Sequence, residues 1–387
     1  MRTFINFGGF LAASLLLVSG LAQAGERTYP NRAKLGEALF NDVNLSKNRS
    51  QACATCHMPD MGFTDHRETK AGLAVSLGDD GKSLGDRSAP TAAYAAFSPT
   101  FGKNAKGDYV GGQFWDGRAA TLEDQAGGPP LNPIEMGMPD EKTVAERIAE
   151  NPDYVAAFKA EFGEDVLSDP AKTYQALRQA VAEFERTPEF SPFDSKYDRY
   201  LRGEEKLTEQ EELGRTLFFS TQFTNCNLCH DIKGTDGRFE TSTFSSHKYF
   251  NIGVPVNEAA RKVNGVAADH VDLGLAANPA AKDDPTARGR FKTPTLRNIA
   301  VTGPYMHNGV FKDLRTVILF YNKYNSKRKS RQINPETGKV WAAPEVADNL
   351  AKTELETGPG LDDQRIDALV AFLKTLTDKR YEPLLEK

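Results

Sequence analysis

The sequence is short of cysteine, of excess positive charge and of long apolar runs. It has four cysteines among 387 residues, and all four fall into two short motifs, so no thiol is left for a separate cross-link. Lysine and arginine total 48 against 53 acidic residues, and the net charge of −5 gives no indication of nucleic-acid binding. After the N-terminal segment, no apolar run is long enough to span a bilayer. These deficits favour a soluble protein that does not act on nucleic acids.

The N-terminus has the pattern of a secretory signal. Arg2 precedes an apolar run at 10–18, and Ala-Gln-Ala at 22–24 forms a cleavage site. The apolar run is too short for a membrane span, although an uncleaved signal would act as an anchor. We predict a signal peptide at 1–24 and a mature chain that begins near Gly25 in a bacterial periplasm.

The four cysteines form two copies of the pattern Cys-x-x-Cys-His, at 53–57 and 226–230. This spacing lets two thiols attach to the vinyl groups of a haem while the adjacent imidazole ligates the iron. Two disulfides, or one zinc ion shared by both motifs, are the alternatives, but they do not explain why a histidine follows each pair. We predict two covalently bound haem c groups. Their attachment and proximal ligand residues are Cys53, Cys56, His57, Cys226, Cys229 and His230.

The chain is repeated at the scale of a domain. Gly-x-x-Leu-Phe occurs at 36–40 before the first motif and at 214–218 before the second. Each half also closes with an amphipathic helical pattern, at 176–187 and at 365–376. We therefore predict a mainly α protein made of two cytochrome-c-like haem domains.

Prolines at 188 and 192 interrupt the helical pattern between the two halves. We place the N-terminal haem domain at 25–190 and the C-terminal haem domain at 191–387. Segments 58–113 and 231–295 are rich in glycine and proline and weakly periodic, so we expect long irregular loops that the haems organise.

The function depends on what lies opposite each proximal histidine. An electron carrier needs both irons capped by protein, whereas an enzyme needs one open iron. His66 follows the first motif closely, and a surface or supporting role is the simplest interpretation of it. In the second half Met306, His307 and Tyr321 are the candidate ligands, and the residues alone do not choose among them.

The chain resembles the bacterial di-haem cytochrome c peroxidases, and among them the methylamine-utilisation branch, over essentially the whole mature length. Besides the two haem motifs, the resemblance rests on segments 86–91, 113–118, 125–138, 250–253, 293–298 and 304–309. Ordinary peroxidases of the family carry a distal histidine where this sequence has Gly-Asp-Asp-Gly at 78–81, and a methionine at the position of Tyr321. The resemblance therefore implies an open first iron, held by His57 alone, and a second iron held by His230 and Tyr321.

The resemblance also implies roles for residues that chemistry alone would not single out. Trp115 matches a tryptophan that lies between the two haems and relays electrons. Glu135 matches a proton shuttle for peroxide cleavage, beside the pocket residues Gln125 and Pro129. The implied calcium ligands are Ser88, Thr302 and Pro304, with serine where the family usually has asparagine.

The function implied is that of a periplasmic di-haem oxidase. It would use peroxide, or dioxygen plus electrons, to oxidise tryptophans of precursor methylamine dehydrogenase and so complete the tryptophan tryptophylquinone cofactor. One departure affects this interpretation, because Thr224 stands where such relatives carry a surface relay tryptophan. The alternatives are a cytochrome c peroxidase supplied by a small cytochrome or cupredoxin, and a di-haem electron carrier without enzymatic activity.

Overall fold

The computed structural model describes Met1 and residues 28–234, 237–356 and 358–386. The predicted signal peptide at 1–24 lies, apart from Met1, outside the described residues. The described part contains fourteen α-helices and three two-stranded antiparallel sheets, and many residues lie in irregular loops. The predicted mainly α fold is confirmed. Within the described ranges, no helix combines the length and the apolar character needed to cross a membrane.

The elements follow one another along the chain with long loops between them. The helices are α1 (Arg32–Phe40), α2 (Cys53–Cys56), α3 (Leu122–Ala126), α4 (Gly128–Leu131), α5 (Glu141–Ala149), α6 (Pro152–Phe162), α7 (Pro170–Glu185), α8 (Lys196–Leu201), α9 (Glu209–Phe219), α10 (Cys226–Cys229), α11 (Glu258–Arg261), α12 (Leu314–Asn322), α13 (Lys352–Leu355) and α14 (Asp363–Lys374). The strands pair as β1 (Gly102–Lys103) with β2 (Tyr109–Val110), β3 (Tyr249–Phe250) with β4 (Phe291–Lys292), and β5 (Ile333–Asn334) with β6 (Lys339–Val340).

The same helix crossing occurs in both halves. Helix α1 packs on α7 at Gly36, where a Cβ atom would lie 1.9 Å from the carbonyl oxygen of Ala180. Helix α9 packs on α14 at Gly214, where a Cβ atom would lie 1.9 Å from the carbonyl oxygen of Ala368. Only glycine allows the backbones to approach so closely, which explains the repeated Gly-x-x-Leu-Phe pattern.

The two closing helices begin earlier than the apolar periodicity predicts. Helix α7 starts at Pro170 rather than at residue 176, because the Asp169 side chain caps it by accepting from the Ala171 N–H. Helix α14 starts at Asp363 rather than at residue 365, capped by Asp362. Both helices also end two residues before the predicted limit.

Each half has its own hydrophobic core. The first includes Phe40, Phe63 and Phe184 and reaches Phe190, and the second begins at Tyr197. The limits of the two domains, 25–190 and 191–387, stay a prediction.

Buried polar groups join the two halves. The Arg297 guanidinium is 1% exposed, forms an ion pair with Asp198 and lies over the ring of Tyr94, with 5.4 Å from its Cζ to the ring centroid. Tyr94 from the first half donates a hydrogen bond from Oη to Asp378 Oδ1 at 2.6 Å. Arg87 pairs with Asp272 in the second half, and these contacts fix the position of one haem motif relative to the other.

Candidate active site

Both Cys-x-x-Cys-His motifs adopt the same local structure. The two cysteines of each motif bracket a one-turn helix, α2 or α10, and the backbone N–H of the following histidine donates to the first cysteine's carbonyl at 2.9 Å. All four cysteines are free. Burial raises the pKa of Cys53 and Cys56 to about 12. No disulfide joins any of the four cysteines, which sets aside the two disulfides considered above.

Each proximal imidazole is oriented by a backbone carbonyl. His57 Nδ1 lies 3.2 Å from the carbonyl oxygen of Phe63, and His230 Nδ1 lies 2.8 Å from that of Phe244. A carbonyl only accepts, so Nδ1 carries the proton and Nε2 is the nitrogen left for iron, as is usual for metal-ligating histidines. Burial lowers the pKa of both rings, that of His230 to about 4, which keeps them neutral.

The second motif opens into a cavity of about 310 Å³. Its lining includes the thiols of Cys226 and Cys229, the imidazole of His230 and the phenol of Tyr321. Its walls are largely apolar and include Phe218, Ile252, Leu314, Ile318, Leu369 and Leu373. Two thiols and an imidazole at one side of an apolar cavity fit a covalently attached haem. No three His, Cys, Asp or Glu side chains gather to hold a metal ion in the part of the chain that is described, which argues against a shared zinc site.

Tyr321, Met306 and His307 all line this cavity. His307 is held against a cavity wall, because its ring stacks on Phe291 with 3.6 Å between centroids and an angle of 8°. Burial raises the pKa of Tyr321 far above its ordinary value, so only a strong nearby cation would ionise the phenol.

Trp115 reaches the same cavity from the first half of the chain. Its indole Nε1–H donates to the carbonyl oxygen of Ser88 at 2.8 Å, and its own carbonyl accepts from the Lys292 N–H at 2.9 Å. The tryptophan is thus tied to both halves and lines the second haem cavity.

The predicted residues of the first pocket lie on α3, α4 and the loop that follows. Gln125 is on α3 and Pro129 is on α4, and the Met136 N–H donates to the Pro129 carbonyl at 3.3 Å. Burial raises the pKa of Glu135, and the Glu135 charge in turn raises the pKa of Cys53 and Cys56. The carboxyl group therefore lies close to the attachment site of the first haem.

The segment that lacks a distal histidine is fixed against Glu135. The Asp79 N–H donates to the Glu135 carbonyl at 2.8 Å, and a Cβ at Gly78 would lie 2.5 Å from the Ile134 carbonyl oxygen. The Asp79 carboxylate accepts from Ser46 Oγ at 2.8 Å and from Ser50 Oγ at 2.6 Å. Burial lowers the pKa of His66, a hydrogen bond to the backbone of Val301 opposes that shift, and the His66 Nε2 atom has no hydrogen-bond partner among the described residues.

The three predicted calcium ligands come together. Ser88, Thr302 and Pro304 line a small cavity of about 10 Å³, and Asp65, whose carboxylate forms an ion pair with Arg67, lines it as well. Sequence reasoning did not identify Asp65, because nothing in the loop after the first motif distinguishes it.

A protein-family model described as "Di-haem cytochrome c peroxidase" matches residues 30–206. The methylamine utilization protein MauG of Paracoccus denitrificans is 57% identical over 375 residues, which cover 97% of this chain and 96% of that protein. The chain belongs to the di-haem cytochrome c peroxidase family. Cytochrome c peroxidase Ccp of Escherichia coli is 33% identical over 284 residues, covering 73% of this chain and 51% of that protein.

Solved structures of the di-haem family share the fold. The di-haem peroxidase BthA of Burkholderia thailandensis superposes with a TM-score of 0.78 at 32% identity, covering 90% of this chain and 86% of that one. A MauG-like protein associated with microbial copper homeostasis gives 0.66 at 30% identity, covering 90% and 89%. This di-haem peroxidase relative is accordingly an oxidoreductase with two haem cofactors, and the non-enzymatic electron carrier is set aside.

One further buried acid of this di-haem enzyme was not predicted. Glu185, the last residue of α7, is buried beside Cys53, and burial raises the pKa of Glu185 to about 8. The amphipathic pattern of α7 gave no signal for it, because an acid at the end of a helix usually faces solvent.

Proposed function

We propose that this protein is a periplasmic oxidase that uses peroxide, or dioxygen plus electrons, to oxidise tryptophans of precursor methylamine dehydrogenase. The observation that carries the proposal is the asymmetry of the two sites. Tyr321 lines the second haem cavity, whereas the segment at 78–81 near the first haem motif contains no histidine. The chain is 57% identical to a methylamine utilization protein, and this similarity supports precursor methylamine dehydrogenase as the substrate.

The two haems, when bound, supply the redox chemistry with peroxide and the storage of oxidising equivalents. His57 and His230 would hold the irons, and each imidazole is kept in place by its carbonyl partner. Tyr321 would provide the second ligand of the second iron. A phenolate is a hard anionic donor, which favours oxidised iron over reduced iron.

Glu135 moves the proton that peroxide cleavage requires. Its carboxylate takes a proton from bound peroxide and returns it to the leaving oxygen, and burial raises the Glu135 pKa so that both steps are accessible. Gln125 and Pro129 shape the pocket around the oxidant. The hydrogen bonds of Asp79 keep the neighbouring loop in place and the pocket open.

Trp115 relays electrons between the two sites, and its bonds to Ser88 and Lys292 hold the indole in position. Ser88, Thr302 and Pro304 bind a calcium ion next to this relay. The oxygen atoms of a hydroxyl and of backbone carbonyls suit a hard cation.

Electrons from the protein substrate enter near the second motif. Thr224 is not oxidisable, and its hydroxyl donates to the Leu217 carbonyl at 2.6 Å. Three aromatic residues could relay electrons instead: Tyr249 is buried, Phe219 is half-buried, and Phe223 is 38% exposed beside the motif. In this scheme electrons pass directly from the protein substrate to the second haem site near Phe223, without a surface tryptophan as a relay.

The test is a reaction with quinone-free precursor and hydrogen peroxide. We expect quinone absorbance to develop, and Thr224→Trp to accelerate it, while the isosteric Thr224→Val leaves the rate close to that of the natural enzyme. Complete oxidation of the haems by peroxide without quinone formation would refute precursor methylamine dehydrogenase as the substrate.

The absence of a relay at Thr224 favours one competing function, a cytochrome c peroxidase. This alternative predicts rapid peroxide-dependent oxidation of a reduced small cytochrome or cupredoxin. Turnover of that donor without any turnover of the precursor would establish it.

A further inference from the structure

A cluster of aromatic rings extends from Tyr321 away from the haem cavity. Its members are Phe311, Phe320, Tyr321, Tyr324 and Trp341. The ring centroids of Tyr321 and Phe320 are 5.9 Å apart, and those of Phe320 and Trp341 are 5.6 Å apart. Phe311 gives a parallel route, at 5.0 Å from Phe320 and 5.7 Å from Trp341.

Trp341 is the most readily oxidised member of this cluster. Phenylalanine is very hard to oxidise, and tyrosine must lose its phenolic proton as it loses an electron. The Tyr324 hydroxyl donates to the Ile252 carbonyl at 2.9 Å, and a carbonyl is too weak a base to take that proton. An indole, in contrast, can lose one electron and keep its N–H. The Trp341 Nε1–H donates to the Arg331 carbonyl at 2.9 Å, a contact that strengthens when the ring becomes positive.

Trp341 also lies close to solvent. It is 9% exposed and directly follows Val340, which is 68% exposed at the end of the β5–β6 hairpin. The Lys323 ammonium lies 5.8 Å from the Trp341 ring centroid, and this positive charge opposes oxidation of the indole.

We propose that Trp341 is a second redox-active tryptophan, which donates electrons to the second haem through Phe320 and Tyr321 when no protein substrate is bound. This inference rests on the proposed function, because it requires haems oxidised by peroxide. It gives the enzyme a route for discharging unused oxidising equivalents at the surface rather than at the haems. Trp115 serves transfer between the haems, whereas Trp341 lies on the outer side of Tyr321.

The chemistry balances with peroxide as the oxidant. Trp341 first loses one electron to the oxidised haem pair while its proton stays on Nε1. Loss of a second electron and two protons, with uptake of the oxygen atom of a water molecule, gives hydroxytryptophan. The two electrons and two protons convert hydrogen peroxide to two waters, one of which replaces the water consumed.

The experiment treats the di-haem protein with hydrogen peroxide in the absence of precursor and maps modified residues by mass spectrometry. We expect one added oxygen atom at Trp341 and a transient tryptophan radical in the electron paramagnetic resonance spectrum. Trp341→Phe should lose both signals and lengthen the lifetime of the oxidised haems. Tyr324→Phe, which alters the other oxidisable ring of the cluster, should keep them.

A charge variant gives a second, independent readout. Lys323→Gln removes the cation near the indole and should increase the yield of modified Trp341. If the haems become oxidised and their oxidised state then decays without any product at Trp341, this inference is overturned and the proposed function stays intact. Haems that fail to become oxidised by peroxide would overturn both.

Discussion

The two halves of the molecule share a scaffold but not a chemistry. In both, a glycine-mediated helix crossing, Gly36 on Ala180 and Gly214 on Ala368, supports a one-turn helix with two cysteines. In both, the next histidine is fixed by a backbone carbonyl. Packing and haem attachment were therefore duplicated with little change.

The halves differ in what faces the haem from the other side. In the first, Asp79 fastens a loop that contains no histidine against Glu135. In the second, helix α12 brings Tyr321 to the cavity. Under the proposed function, a few side chains on two similar helix scaffolds divide the work, with oxidant handling in one half and charge storage in the other.

Tyr321→Met tests this division most severely. A neutral thioether in place of a phenolate should raise the reduction potential of the second haem by on the order of 0.1 V or more, within the range of about 0.8 V that axial ligands span. Oxidation of precursor should be lost, while oxidation of a reduced small cytochrome should rise. Potentiometric titration of the two haems and both activity assays measure these changes.

Tyr324→Met is the matched control, because residue 324 lies just beyond the same helix and does not line the cavity. It should leave both potentials unchanged. An unaltered potential in the Tyr321 variant would mean that the phenol is not an iron ligand.

Glu135→Gln tests the other half. Removal of a positioned proton-transfer group should slow the reaction with peroxide by about 10²–10⁴-fold. The carboxylate form is the one that takes the first proton, and burial raises the Glu135 pKa. The rate of the natural enzyme should therefore fall as the pH decreases through a value above 4.5, the ordinary pKa of a glutamate. The Glu135→Gln variant should lack this fall in rate at acid pH, which is the acid limb of the pH profile.

Stopped-flow measurement of haem oxidation between acid and neutral pH gives the profile. Glu146→Gln, an exposed glutamate on α5, is the control and should retain the natural rate and its acid limb. A retained acid limb in the Glu135 variant would assign the proton to another group.

The sequence predicted the shared scaffold better than the differences. Both haem motifs and both Gly-x-x-Leu-Phe segments are local patterns, and the structure explains each by a local geometry. Helix limits were less accurate, because capping by Asp169 and Asp362 decides them rather than apolar periodicity.

The residues that distinguish the halves depend on distant contacts. Asp79 acts through Ser46, which is 33 positions away, and Asp65 meets Thr302 across the two halves. Tyr321 could not be separated from Met306 and His307 by residue type, and only the resemblance to a family selected it. Roles for these residues stay predictions.

Glu185 offers a third comparison, since the repeat aligns Phe184-Glu185 with Phe372-Leu373. The pKa of Glu185 is about 8 in the folded protein, against 4.5 for an ordinary glutamate. Folding therefore keeps a proton that the unfolded chain releases, and stability should decline as the pH rises from 4.5 to about 8. The loss should total roughly 5 kcal/mol across that window.

Glu185→Leu gives the first half the residue of the second and should remove this decline. Urea unfolding at several pH values measures it. Glu183→Gln, at an exposed position of the same helix, should leave the decline in place. Parallel stability curves for the natural protein and the Leu variant would show that Glu185 is ionised when folded.

The smallest expected effect concerns the scaffold that the halves share. Gly36→Ala and Gly214→Ala each force a methyl group against a facing backbone carbonyl, at Ala180 and Ala368. Each should destabilise the protein by about 1–3 kcal/mol, which urea unfolding would measure. Because the two crossings have no common partner, the double variant should show the sum to within about 0.5 kcal/mol.

Gly102→Ala is the control for these variants, since a Cβ there would have no neighbour within 4 Å. It should change stability by less than about 0.5 kcal/mol. A large cost at one crossing and none at the other would mean that only one half depends on close backbone contact. The two helix crossings would then share a sequence pattern but not the contact that stabilises them.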